Sequence, residues 1–256
     1  MKLLIGVPTG GQPARPFLDA LAALTLPELV HEADRVVWTG NFVSAQREMI
    51  ARDAVARGAD LLAMIDDDMV VPADALVKLA AALAANPDAA LAGALYYSRD
   101  GARPMVVDRW DSTDTTTAAI PAYAGAAVTA VDGIGFGCVM LRVDVLRAMA
   151  PPYFAIHAFV DPASRTVRQC DEDYLFCERA RRAGRRILLH AGVRALHYDR
   201  ATGTTAPAGW EADAQTDHLR MFVRRGDGTA LVPFDDAVPR AAERQEAFPA
   251  TLVFSG

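Results

Sequence analysis

The chain has 256 residues, 52% apolar and 23% charged, with a formal net charge of −6, an ordinary globular composition sufficient for one large α/β domain or two small ones. Such a chain buries a full core without disulfide or metal staples, and nothing in its overall charge points to nucleic acid or an anionic membrane as the ligand. Cys138, Cys170 and Cys177 form neither a disulfide framework nor a zinc-knuckle spacing, so a reducing compartment is expected.

Leu3 to Val7 is a continuous apolar run stopped by Pro8-Thr9-Gly10-Gly11. It suits a buried parallel strand and ends too early for the apolar core of a signal peptide. No stretch is long enough to span a bilayer, and a cytoplasmic location is expected. A helix is predicted over Leu18 to Leu24, then a strand over Arg35 to Thr39. Ser44 to Arg57 has helical spacing, with Gly58 as its C′ residue. Leu61 to Ile65 is a second fully apolar strand and runs directly into Asp66-Asp67-Asp68. Pro72 opens an Ala-rich helix that stops at Asn86-Pro87, and Ala89 to Tyr97 reads as a strand.

This alternation predicts an α/β fold with an open, mostly parallel central sheet covered by helices on both faces. Residues 98 to 130 break the pattern and read as a functional loop or a disordered stretch. From Val131 a Gly-rich strand continues through Leu141. A helix covers Glu172 to Ala183, followed by short strands at Ile187 to Leu189 and Val193 to Leu196. The basic run Glu178 to Arg186 reads as a solvated helix face. Beyond Asp199 the chain is polar and weakly patterned.

Asp66, Asp67 and Asp68 fall at the C-terminal end of a central strand, the edge where open α/β sheets bind ligands. Three adjacent carboxylates repel one another unless a cation offsets them. A hard divalent ion does so, with diphosphate oxygens completing its shell. A helix cap accounts for one Asp near Pro72, not for three at a strand end.

A strand ending in Asp-x-Asp, about sixty residues after Ile5-Gly6-Val7-Pro8-Thr9, resembles the GT-A-fold glycosyltransferases, in particular family-2-like members. The resemblance implies a nucleotide-sugar donor and Mn2+ or Mg2+ as cofactor. It makes Asp68 the metal ligand and Asp66 the ribose contact with a share in the metal, and leaves Asp67 on the donor side without a definite role. Cys170-Asp171-Glu172-Asp173 and the helix that follows resemble the Glu-Asp helix of the same enzymes. There a carboxylate accepts the acceptor's proton in inverting members, which implies Asp173 first and Glu172 second as general base. Acids in a first helical turn also complement the macrodipole. His197, after the strand Val193 to Leu196, matches the position of a second metal ligand. Pro8 and Thr9 correspond to the loop against base and ribose. Arg47 matches an arginine facing the nucleotide, although Glu48 follows it where relatives have Asn. Gly133 to Cys138 resembles the Gly-rich strand start bordering donor sugar and acceptor, and also suits close sheet packing.

The implied activity is glycosyl transfer to an acceptor hydroxyl, with inversion as the leading course and retention open because relatives bearing the His include retaining enzymes, and with UDP-sugars preferred to GDP-sugars only on family frequency. The resemblance covers residues 1–199: a nucleotide-sugar-binding half (1–97), a loop (98–130) and an acceptor half (131–199), with 200–256 as an extension. It leaves the acceptor open among saccharides, lipid carriers, small metabolites, proteins and modified nucleobases, and a homodimer is compatible with it. The alternatives are a nucleotidyltransferase acting on sugar phosphates and a non-catalytic nucleotide-sugar-binding module.

Overall fold

The computed structural model describes residues 1–101, 104–107, 128–160, 167–207, 209–212, 219–224 and 231–233. In chain order its elements are β1 (Lys2–Thr9), α1 (Arg15–Ala22), β2 (Glu32–Thr39), α2 (Val43–Ala56), β3 (Leu61–Ile65), β4 (Met69–Val70), α3 (Ala75–Ala85) and β5 (Ala89–Leu95). Then come β6 (Val106–Val107), β7 (Val128–Val131), β8 (Gly133–Ile134), β9 (Cys138–Arg142), α4 (Val143–Ala148), β10 (His157–Val160), β11 (Val167–Cys170) and α5 (Glu172–Arg182). The last are β12 (Arg186–Arg194), β13 (Leu196–Asp199), β14 (Thr204–Ala206), β15 (Gly209–Ala212), β16 (Leu219–Arg224) and β17 (Leu231–Pro233).

Seven strands form the central sheet in the order β2-β1-β3-β9-β5-β12-β7. β1 pairs in parallel with β2 and β3, and β5 with β12, while β9 and β7 run against their neighbours. The sheet is therefore mixed, with five strands sharing one direction. β9 enters between β3 and β5, so the two parallel groups never touch directly. The apolar runs of β3 and β5 reflect burial on both faces.

Alternate residues feed two cores. Leu4, Leu62, Met64 and Leu91 pack with Ile50 of α2, Leu146 of α4 and Phe176 of α5. Leu3, Ile5, Ala63 and Ala92 pack with Phe17 of α1 and Leu76 and Leu79 of α3. Helices thus cover both faces. Gly58 follows α2 at φ +67°, the left-handed position its C′ role requires.

Several details depart from the sequence reading. The strand expected from Val131 to Leu141 is divided into β7, β8 and β9, because Gly135 and Gly137 bring the backbone against the Tyr96 ring. A Cβ on Gly135 would lie 2.2 Å from Tyr96 Oη. Of the two short strands expected after α5, the first lies within β12, which has an irregularity between His190 and Arg194, and the second straddles the end of β12 and the start of β13. Within 98–130, β6 is buried and β7 joins the main sheet, while residues 108–127 lie outside the described part. The polar tail begins as the β13–β14 hairpin, which pairs with β4, and β15 to β17 form a small antiparallel sheet. The basic run is mostly engaged: Arg181 pairs with Asp132 at 2.9 Å and Arg186 with Asp88 at 2.6 Å, and Arg179 donates to the carbonyls of Ala150 and Pro152. All three cysteines are buried free thiols. Among the described residues no helix is long and apolar enough to cross a membrane.

Candidate functional site

β1, β3, β5 and β12 end on one edge of the sheet, and β9 begins there. At this edge the chain leaves β3 through Asp66, whose N–H donates to the Gly137 carbonyl at 3.0 Å, and turns into β4 by a Met69 N–H to Asp66 carbonyl bond of 3.1 Å. The three aspartates therefore point different ways, and each meets its own cation.

Asp66 receives Arg47 Nη2 on both oxygens, at 2.9 and 2.8 Å, and Arg47 Nη1 donates to Glu172 Oε1 at 2.6 Å. Arg47, on α2, is only 4% exposed and lies over the Phe136 ring, its Cζ 5.8 Å from the centroid. Burial disfavours its charge, but Asp66, Asp173 and Glu172 together hold the guanidinium protonated. Glu48, the residue that departs from the family pattern, turns away: its Oε2 accepts the Tyr153 and Phe154 N–H groups at 2.6 and 3.1 Å. Asp67 accepts the Thr9 hydroxyl and, at 2.6 Å, Arg200 Nη2. Thr9 Oγ1 in turn accepts the Gly11 N–H at 3.0 Å, and Pro8 is buried beside it in β1. Asp67 thus ties the end of β1 to the residue following β13.

Asp68 Oδ2 receives Arg99 Nη2 at 2.5 Å and faces His197 Nε2 at 3.3 Å. Burial pushes its carboxyl upward, but His197 and Arg99 outweigh this and hold it at about 2. His197 Nδ1 lies 3.0 Å from the Tyr97 carbonyl oxygen, which only accepts. That contact assigns a ring proton to Nδ1, and Nε2 faces the carboxylate. Nε2 and Oδ2 approach this closely where a proton or a metal cation lies between them.

The Asp68–His197 pair therefore fits a hard divalent ion that takes its remaining ligands from phosphate oxygens and water. Asp66 does not fit as a ligand, because Arg47 occupies both of its oxygens. Among the described residues no three or more His, Cys, Asp or Glu side chains gather as a metal group. Arg47, Arg200 and Arg99 already offset the mutual repulsion of the triplet without a metal. Arg99 and Arg200 escaped the sequence reading because both sit in turns without periodicity. Their only signal there was the need of a buried acidic triplet for cations.

Glu172 and Asp173 form the first turn of α5, and both are buried. Glu172 is committed to Arg47. Asp173 Oδ1 accepts the Tyr174 N–H at 2.8 Å, and its carboxyl is pushed up to about 7. Burial is the main cause, opposed by Arg47 and reinforced by Glu172. Arg47 thus brings the strand-end acids and the helix acids into one cluster. The Gly135 and Gly137 segment borders it through Tyr96, whose hydroxyl accepts the Gly137 N–H at 2.9 Å.

The fold is similar to that in the crystal structure of A197 from STIV, with a TM-score of 0.54 and 18% identity over 94% of this chain and 97% of that one. The likeness carries the fold and no residue roles: an α/β, GT-A-like architecture with a seven-stranded mixed sheet flanked by helices. No protein-family model matches the chain, and no curated protein sequence does.

Proposed function

We propose that this protein is a glycosyltransferase that moves a sugar from a nucleotide-diphosphate sugar to an acceptor hydroxyl with inversion. The supporting observation is the gathering, at the ligand-binding edge of a GT-A-like sheet, of the Asp68–His197 pair and a buried carboxyl suited to proton transfer. Asp68 and His197 would hold Mn2+ or Mg2+, which supplies neutralising charge to the departing diphosphate. Asp173 accepts the hydroxyl proton while the acceptor oxygen bonds to the anomeric carbon and the carbon–oxygen bond to the diphosphate breaks. A value of about 7 suits this task, because near neutral pH the carboxylate is substantially ionised and still basic enough to take a proton. Glu172 is a positioning residue, since its Oε1 holds Arg47. Pro8 and Thr9 lie at the end of β1, where base and ribose would rest, and Asp67 fixes that end.

The test is donor turnover, with an acceptor or with water, in Asp173→Asn. The amide retains size but takes no proton, so turnover falls by a factor on the order of 10²–10⁴ with donor affinity unchanged. Wild-type turnover in this variant would remove Asp173 from the reaction.

A further inference from the structure

Arg99 has a second role that rests on the proposed donor site. Its side chain is 63% exposed, yet its guanidinium is docked on an oxygen of Asp68, whose own side chain is only 5% exposed. The placement is built by the backbone. After β5 and the Tyr96-Tyr97 pair, Ser98 to Gly101 form a turn closed by the Gly101 N–H to Ser98 carbonyl bond of 2.8 Å, with Gly101 at φ +69°. Tyr97 bridges to Pro104 on the far side of that turn, and its carbonyl also holds His197. One short stretch thus positions both the imidazole and the guanidinium against the same oxygen, Asp68 Oδ2.

We propose that Arg99 is an exchange ligand: it neutralises Asp68 before a divalent ion arrives and then passes to the donor's diphosphate. Two cations converging on one carboxylate oxygen repel each other, so an ion on Asp68 and His197 expels the guanidinium. The expulsion is inexpensive, because an exposed arginine holds its partner weakly and keeps a long, mobile stem in water. The displaced group needs an anion within reach, and a diphosphate on the same ion provides one. A guanidinium fork pairs with phosphate oxygens in bidentate fashion.

The exchange predicts effects of opposite sign in one variant. Titrating Mn2+ alone, followed by calorimetry or by the free-ion paramagnetic signal, should show Arg99→Ala binding the ion about fivefold more tightly than wild type, the loss of one exposed ion pair. Titrating UDP at saturating Mn2+ should show the same variant binding nucleotide about tenfold more weakly, the loss of one charge-assisted phosphate contact. Arg99→Lys, which retains the charge, should lie between the two proteins in both titrations. Equal Mn2+ affinity in wild type and Arg99→Ala overturns the exchange, as does undiminished UDP affinity. Absence of Mn2+ binding in both proteins overturns it differently, by removing the metal site on which it rests.

Discussion

At the scale of single residues, Asp173 sits under opposing forces. A first-turn carboxylate is favoured by the helix dipole, yet burial, resisted by Arg47 and helped by Glu172, pushes its carboxyl up to about 7. Its folded-state value is thus raised above the ordinary carboxylate value. The stability it contributes is fully present below about pH 4 and is lost as pH rises through about 7. Asp173→Asn removes that dependence. Relative to wild type, the variant should gain on the order of 1–4 kcal/mol at pH 8 and almost nothing at pH 4, read from denaturant midpoints at the two values. A difference that stays flat with pH would mean that Asp173 ionises as it would in water. Stability and activity pull apart at this position: the ionised form that weakens the fold is the one able to accept a proton, so turnover should rise with pH through the same range.

At the scale of elements, Arg47 joins three of them. It reaches from α2 to Asp66 at the end of β3 and to Glu172 at the start of α5, above an aromatic cluster in which Phe136 lies edge-on to Phe154 and Phe176. A buried ion cluster of this kind contributes little net stability against an apolar substitute, but removing one partner strands the others. Arg47→Met should cost about 3–5 kcal/mol in chemical denaturation, and adding Glu172→Gln and Asp66→Asn should recover much of the loss. Additive losses across the triple variant would show that the cluster is not one unit. Much of this scale was legible in the sequence. The apolar runs of β1 and β3, bounded by Pro, Gly and Asp, and the acidic start of α5 are local signals, and the structure brings Thr9, Arg47, Asp66 to Asp68, Glu172, Asp173 and His197 to one sheet edge. The entry of β9 between β3 and β5 was not legible, because pairing over long separations leaves no local mark. Nor was the division of labour among the acids. Nothing in Asp66-Asp67-Asp68 says which carboxylate is held by Arg47, which by Arg200 and which by Arg99 and His197, since that depends on directions set only when the turn into β4 forms.

At the scale of the whole molecule, the edge of the sheet collects Asp66, Asp67, Asp68, Glu172 and Asp173 against Arg47, Arg99, Arg200 and His197, within a chain of formal charge −6. A nucleoside diphosphate entering this acidic surface alone meets repulsion, and a divalent ion reverses its sign. UDP without metal should therefore leave the melting temperature unchanged. UDP with Mn2+ at about a hundred times Kd should stabilise the fold by about 2.7 kcal/mol, a rise of roughly 5–10 °C, and EDTA should reverse it. Three variants separate holding the ligand from holding the fold. Asp68→Asn and His197→Ala should abolish the rise, because the ion loses a ligand. Asp67→Asn should lower the melting temperature of the free protein, because Asp67 ties Thr9 to Arg200, but should keep the full rise with Mn2+ and UDP. A rise that survives Asp68→Asn and vanishes in Asp67→Asn would exchange the roles of the two neighbours and move the ion to the β1 side of the edge.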